Sequence, residues 1–195
     1  NVDKRIKPLV KSYHLEQLDS EKSYLKSLVR SIIFQQLSGR AAKTIFDRFM
    51  ALFLEEKKLN ANEILSLDSA LMRSVGISSS KVNYIKNIAK SFVEKSIDYP
   101  NFSKLTDDQI IESLVSIKGV GRWTAQMFLI FTLKRPDVFP EGDLGVRKGF
   151  QLFYNLEDLP SSELILKRSE VWSPYRSFMA RYFWKVSDDI ELLRR

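Results

Sequence analysis

Apolar residues recur at steps of three and four along nearly the whole chain, and that one pattern removes most folds from consideration. In YLKSLVRSIIFQQL, Leu25, Leu28, Val29, Ile32 and Ile33 paint a single face on a helix predicted from about 24 to 36. Ser38 is a candidate cap for the next helix, 39 to 54, which would bury Ala42, Ile45, Phe46, Phe49 and Phe53. Helices are also expected near 69 to 75, closed by Gly76, and near 79 to 95, where Val82, Ile85, Ile88, Ala89 and Phe92 form the stripe. Thr106 and Gln109 match a capping box that starts a helix at Asp107 running to about 116. Helices at 122 to 133, 144 to 154 and 161 to 170 follow, and Ser173 with Pro174 reads as a cap and first-turn proline opening a last helix toward Ser187. No useful length of strand-like alternation interrupts them. The fold class is therefore all-α, and the Pro-rich stretch RPDVFPEGD, 135 to 143, is the expected seam between two helical lobes.

Composition then narrows the chemistry. With 195 residues and 44% apolar content, the chain can bury a proper core. It has no cysteine, which excludes disulfides, thiolate zinc sites and cysteine-ligated iron-sulfur clusters. The single histidine, His14, argues against a histidine metal site or a Ser/His/Asp triad, so no metal is expected. A net charge of +7 suits a polyanionic partner, although a generic basic surface has the same balance. No run of 18 apolar residues is present and NVDKRIKPLV lacks an apolar signal core, so the expected location is inside the cell, in cytoplasm, nucleoid or nucleus.

Residues 117 to 127, IKGVGRWTAQM, place Gly119 and Gly121 between two predicted helices. Glycine permits positive φ and close backbone approach, and the helix that follows offers N–H groups and the positive end of its dipole to a phosphate. Lys118 and Arg122 flank the turn with positive charge. Such a clamp holds the nucleic-acid backbone and reads no base sequence. A plain helix-to-helix turn has the same local sequence, so both readings stand.

The surrounding string, LVSIKGVGRWTAQMFLIFTLKRPDVFPEGDLGVRKG, resembles the helix-hairpin-helix, Gly/Pro-rich loop and aspartate signature of the endonuclease III-like DNA glycosylase superfamily. Within it, the chain is most similar to the 3-methyladenine DNA glycosylase II branch, which excises alkylated bases. SLVRSIIFQQLSGRAAKTIFDRF looks like that branch's first core helices and WSPYRSFMARYFWKV like its C-terminal helix, so the similarity spans roughly residues 20 to 187. The resemblance implies a central lobe at 24–134 with the hairpin motif at about 107–133, a second lobe from 1–23 and 135–195, and an active-site cleft between them. The expected form is the compact one, without the N-terminal β domain of some bacterial members.

The resemblance implies that Asp143, in PEGDLGVRKG, is the catalytic carboxylate. Breaking an N-glycosidic bond builds positive charge on the sugar, which a nearby anion stabilises. At about 4 Å and an effective dielectric near 20, such a pair is worth about 4 kcal/mol before solvation costs. A base alkylated at N3 or N7 already carries positive charge and leaves neutral, so no second acid is required. By its residues alone, Asp143 is also a good N-cap for the helix it precedes.

The same resemblance assigns DNA binding to Lys118, Gly119, Val120, Gly121, Arg122, Thr124, Ser38 and Gly39. It makes Leu37, with Gln36 beside it, the wedge that fills the gap left by an extruded base, although Leu37 also extends an apolar stripe. Trp123, Trp184, Met127 and Leu144 would line the base pocket. A place in the core is the alternative reading for each tryptophan. Met127 and Leu144 stand where the best-known bacterial pattern has tyrosines, which makes the pocket less aromatic. Trp123 occupies the position of the nucleophilic lysine of bifunctional members, so no Schiff base and no lyase activity are expected. The implied protein is a monomeric, monofunctional glycosylase for alkylated purines such as 3-methyladenine and 7-methylguanine, acting on damaged double-stranded DNA away from membranes. It would need no cofactor, apart from a possible monovalent cation at the hairpin carbonyls. The alternatives are a glycosylase for deaminated, etheno or oxidised bases, and a non-enzymatic damage-binding protein.

Overall fold

The computed structural model describes residues 4–18, 23–37, 39–53 and 59–193, and every regular element among them is helical. In chain order these are α1 (Ile6–Ser12), α2 (Tyr24–Phe34), α3 (Gly39–Met50), α4 (Ala61–Ser66), α5 (Ser69–Ser74) and α6 (Ser79–Val93). They are followed by α7 (Asp107–Val115), α8 (Arg122–Phe131), α9 (Leu144–Tyr154), α10 (Ser162–Ser169) and α11 (Arg176–Leu193), with 3-10 turns at Tyr99–Lys104 and Glu170–Trp172. The all-α expectation holds, and none of these helices is long and apolar enough to cross a membrane.

Local chemistry sets the helix ends. The Thr106 hydroxyl accepts from Gln109 N at 3.3 Å while the Gln109 side chain accepts from Thr106 N at 2.9 Å, the reciprocal box expected at the start of α7. Gly76, at φ 103°, turns the chain after α5. Helix α2 stops at Phe34, short of the predicted 36, because Gln35 is extended and Gln36 is left-handed at φ 56°. Two short helices were not anticipated, α1 and α4, since each buries only one residue, Leu9 or Ile64, and so shows no stripe.

The predicted start of the last helix is also wrong. Ser173 and Pro174 do not open the last helix, which begins at Arg176. The Ser173 hydroxyl instead donates to Asp137 Oδ2 at 2.9 Å, and the amide of Arg176 donates to Asp137 Oδ1 at 3.2 Å. A carboxylate far back in sequence therefore serves the N-terminus of α11. The Arg176 guanidinium completes the arrangement, Nε to Oδ1 at 2.7 Å and Nη2 to Oδ2 at 2.9 Å. Burial alone would raise the Asp137 carboxyl, but these bonds from Arg176 and Ser173 outweigh it and hold it below its usual value.

The chain divides into two compact units, Ser20–Phe128 and Asn1–Asp19 with Leu129–Arg195. In the first, Leu28, Val29, Ile32 and Ile33 of α2 are fully buried, and α6 packs against α2 and α4. Each such side chain contributes about 1.5–3 kcal/mol of transfer free energy. Tyr99 stacks on Phe92 at 3.9 Å and shares a 2.8 Å hydrogen bond with Ser91, and its burial pushes the phenol up to about 12.

The other unit is built on α9 against α11. Val146 and Phe150 of α9 meet Met179, Ala180, Phe183 and Val186 of α11, with Phe139, Ile165 and Trp172 completing the core. Gly149 allows this approach: a Cβ there would lie 1.9 Å from the Phe183 carbonyl oxygen. The two helices thus approach backbone to backbone at this point, which holds α9 close against the stretch of α11 around Phe183.

Candidate active site

Asp143 sits one residue before α9 with extended backbone, and its Oδ1 accepts from Val146 N at 2.8 Å. The N-cap reading is therefore correct. The same oxygen also accepts from Trp184 Nε1 at 2.7 Å. Trp184 lies next to Phe183 on α11, so the close crossing at Gly149 brings its indole to the carboxylate. Its ring stacks on Phe131 at 5.6 Å with planes 26° apart. One oxygen thus receives two N–H donors that are themselves held by the fold, which fixes the orientation of the carboxylate. Leu144, the neighbour expected in the pocket, is 52% exposed.

In the other unit, the hairpin is held from behind by side chains. Gln35 Nε2 donates to Thr124 Oγ1 at 2.9 Å and to the Gly119 carbonyl at 3.4 Å, and Asn87 Nδ2 donates to the Lys118 carbonyl at 3.0 Å. Gly119 takes φ 106° and packs so tightly on Tyr84 that a Cβ would fall 2.2 Å from its ring. Only glycine meets both demands. Lys118, Gly121 and Arg122 are exposed at the turn, and Gly39 is exposed at the start of α3.

At two of the expected DNA-binding positions the side chains turn inward. Thr124 is buried to 1% exposure with its hydroxyl accepting from Gln35, so its side chain braces the hairpin instead of facing a ligand. Val120 buries its side chain at 3% exposure and gives its amide to the Ile117 carbonyl at 2.9 Å, which leaves neither for a phosphate. Ser38 lies outside the described residues. Trp123 is half-buried and Met127 buried. Leu37 is 40% exposed, so it does not extend the α2 stripe into the core, and Gln36 beside it is exposed on its left-handed turn.

Sequence reading missed the residues that support these groups. Lys81 turns inward, donating to the carbonyls of Ile33 and Gln35 at 2.8 Å each, and burial lowers its ammonium below the usual value. It closes the C-terminal end of α2 and so steadies the turn that bears Gln36 and Leu37. Gln35, Tyr84 and Asn87 gave no local signal, because their partners lie on other elements. Gly145 did give one: glycine is a poorer helix former than alanine, so its place within a helix needs a reason.

The family model for base excision DNA repair proteins of the HhH-GPD superfamily matches residues 29–174. DNA-3-methyladenine glycosylase 1 of Schizosaccharomyces pombe is 36% identical over 185 residues, covering 94% of this chain and 81% of that protein. The DNA-3-methyladenine glycosylase of Saccharomyces cerevisiae is 37% identical over 174 residues, covering 85% of this chain and 58% of that one. Among solved structures, that of the S. pombe 3-methyladenine DNA glycosylase Mag1 in complex with abasic DNA superposes with a TM-score of 0.90 at 35% identity, covering 96% of this chain and 93% of that chain. A DNA-3-methyladenine glycosidase from Bacillus halodurans follows at a TM-score of 0.80 and 28% identity, covering 97% and 87%. This chain belongs to the HhH-GPD superfamily of base excision DNA repair proteins.

Proposed function

We propose that this protein is a monofunctional DNA glycosylase that flips alkylated purines out of duplex DNA and hydrolyses their N-glycosidic bond. The observation that carries the reading is the Asp143 carboxylate, capping α9 and held by Trp184 in a chain 36% identical to an enzyme named for 3-methyladenine. The C1′–N bond breaks with its electron pair going to the base, which leaves neutral if it was cationic. The Asp143 anion stabilises the positive sugar, and water then adds at C1′ and loses its proton to the carboxylate or to solvent.

The hairpin supports the binding half of the reading. Gly119, Gly121 and the start of α8 would take a phosphate, with Lys118 and Arg122 adding charge, and Gly39 would meet the backbone at the start of α3. Exposed Leu37 and Gln36 would fill the gap left by the base. Trp184 and Leu144, on either side of Asp143's helix start, would contact the base, the aromatic face favouring a cationic one. With tryptophan at 123, no amine forms a Schiff base there, so the strand stays intact.

The test uses duplexes carrying 3-methyladenine, 7-methylguanine, hypoxanthine, ethenoadenine or uracil. The reading predicts release of the methylpurines, strand breakage only after alkali, and no covalent product with borohydride. Release of uracil alone would move the substrate class, and a borohydride-trapped complex would contradict the absence of lyase chemistry.

A further inference from the structure

The contact between Trp184 and Asp143 carries more than a pocket wall does. We infer that Trp184 is a positioning residue acting on Asp143 through its indole N–H, and that Gly145 is glycine because any side chain there would break that contact. The inference rests on the reading of Asp143 as the catalytic carboxylate.

Trp184 Nε1 and Val146 N converge on the same oxygen, Oδ1, at 2.7 and 2.8 Å. A single N-cap bond lets a carboxylate swing about its side-chain torsions, whereas a second donor from another helix removes that freedom. The second donor is itself immobilised, by the stack on Phe131 and by the neighbouring Phe183, whose carbonyl oxygen lies over Gly149. A Cβ at position 145 would fall 2.8 Å from Trp184 Cδ1, 3.2 Å from Trp184 Nε1 and 3.2 Å from Asp143 Oδ1. The first distance is far inside van der Waals contact, and the crowded atoms belong to a stacked ring, not to the end of a flexible chain. Position 145 thus presses on both partners of the hydrogen bond at once. Alanine would be the better helix former there, so the glycine is kept for space.

Positioning of this kind acts on rate more than on binding, since a displacement near 1 Å at a reacting group costs on the order of 100-fold. The experiment replaces Trp184 with 3-benzothienylalanine, which keeps the fused ring and its stacking but puts sulfur where the N–H stood. Single-turnover release of 7-methylguanine and affinity for a duplex with a tetrahydrofuran abasic analogue are measured on the same preparation, with the thermal midpoint as a check on folding. The expected result is a rate about 10- to 100-fold lower, with affinity and midpoint within twofold and 2 °C of wild type. Gly145→Ala should lower the rate in the same way, and adding it to the isostere variant should cost little more.

A wild-type rate for the isostere overturns the inference, as does a loss that appears as weakened binding. Asp143→Asn separates the two levels of the account. If it abolishes release while the isostere is fully active, only the inference falls; if it too leaves the rate unchanged, both fall.

Discussion

Two glycine-bearing stretches do opposite things in this protein. Around the hairpin, Gly119 has φ 106° and is pressed on Tyr84, whereas Gly121 has open space where its Cβ would be. In α9, Gly145 in the first turn and Gly149 in the middle are helical, and both are forced by what lies across from them, Trp184 and the Phe183 carbonyl. The hairpin glycine answers to its own backbone as well as to a neighbour. The α9 glycines answer only to a second helix. That difference separates what a local sequence pattern can announce from what only tertiary packing can.

The largest expected effect is at Gly149. Gly149→Ala must separate α9 from α11 or distort one of them, and overpacking of this kind costs about 3 kcal/mol, with Asp143 and Trp184 drawn apart as a consequence. Urea unfolding measures it; a midpoint within error of wild type would show that the two helices have slack. Gly119→Ala comes next, at about 2 kcal/mol or more from backbone strain and the clash with Tyr84 together, plus a loss of DNA affinity. Here the comparison sharpens: adding Tyr84→Ala relieves the clash but not the φ, so only part of the stability returns. Full recovery would mean that φ carries no strain and that the hairpin glycine is like those of α9. Gly121→Ala is the smallest, under about 0.5 kcal/mol in stability, because nothing lies within 4 Å of its Cβ position. Its effect should be confined to binding of abasic duplex, by fluorescence anisotropy.

The same contrast explains what the sequence made legible. Stripes on α2 and α6, the Thr106 box and Gly76 are local, so spacing alone placed them. Asp143 was legible as a cap from its neighbours, while its proposed catalytic role rests on the family resemblance. Apart from the short helices α1 and α4 and the early end of α2, the failures were at long range. Gln35 meets Gly119 across 84 residues, Trp184 meets Asp143 across 41, and Asp137 meets Arg176 across 39. Ser173 and Pro174 imitated a helix start because the carboxylate that claims the Ser173 hydroxyl is 36 residues away. Thr124 and Val120 fit a DNA-binding motif, yet in this hairpin their side chains brace the turn from inside. Glycine inside a helix was the one long-range feature with a visible trace, as a residue whose propensity opposes its place.

The central claim is that the Asp143 carboxylate makes the chemistry while the hairpin makes the grip. Single-turnover release of 7-methylguanine by Asp143→Asn tests it most directly, because asparagine keeps the cap on Val146 N and removes only the charge. The account predicts a rate lower by about 100-fold or more, with affinity for abasic duplex unchanged. A rate within a few fold of wild type would contradict it.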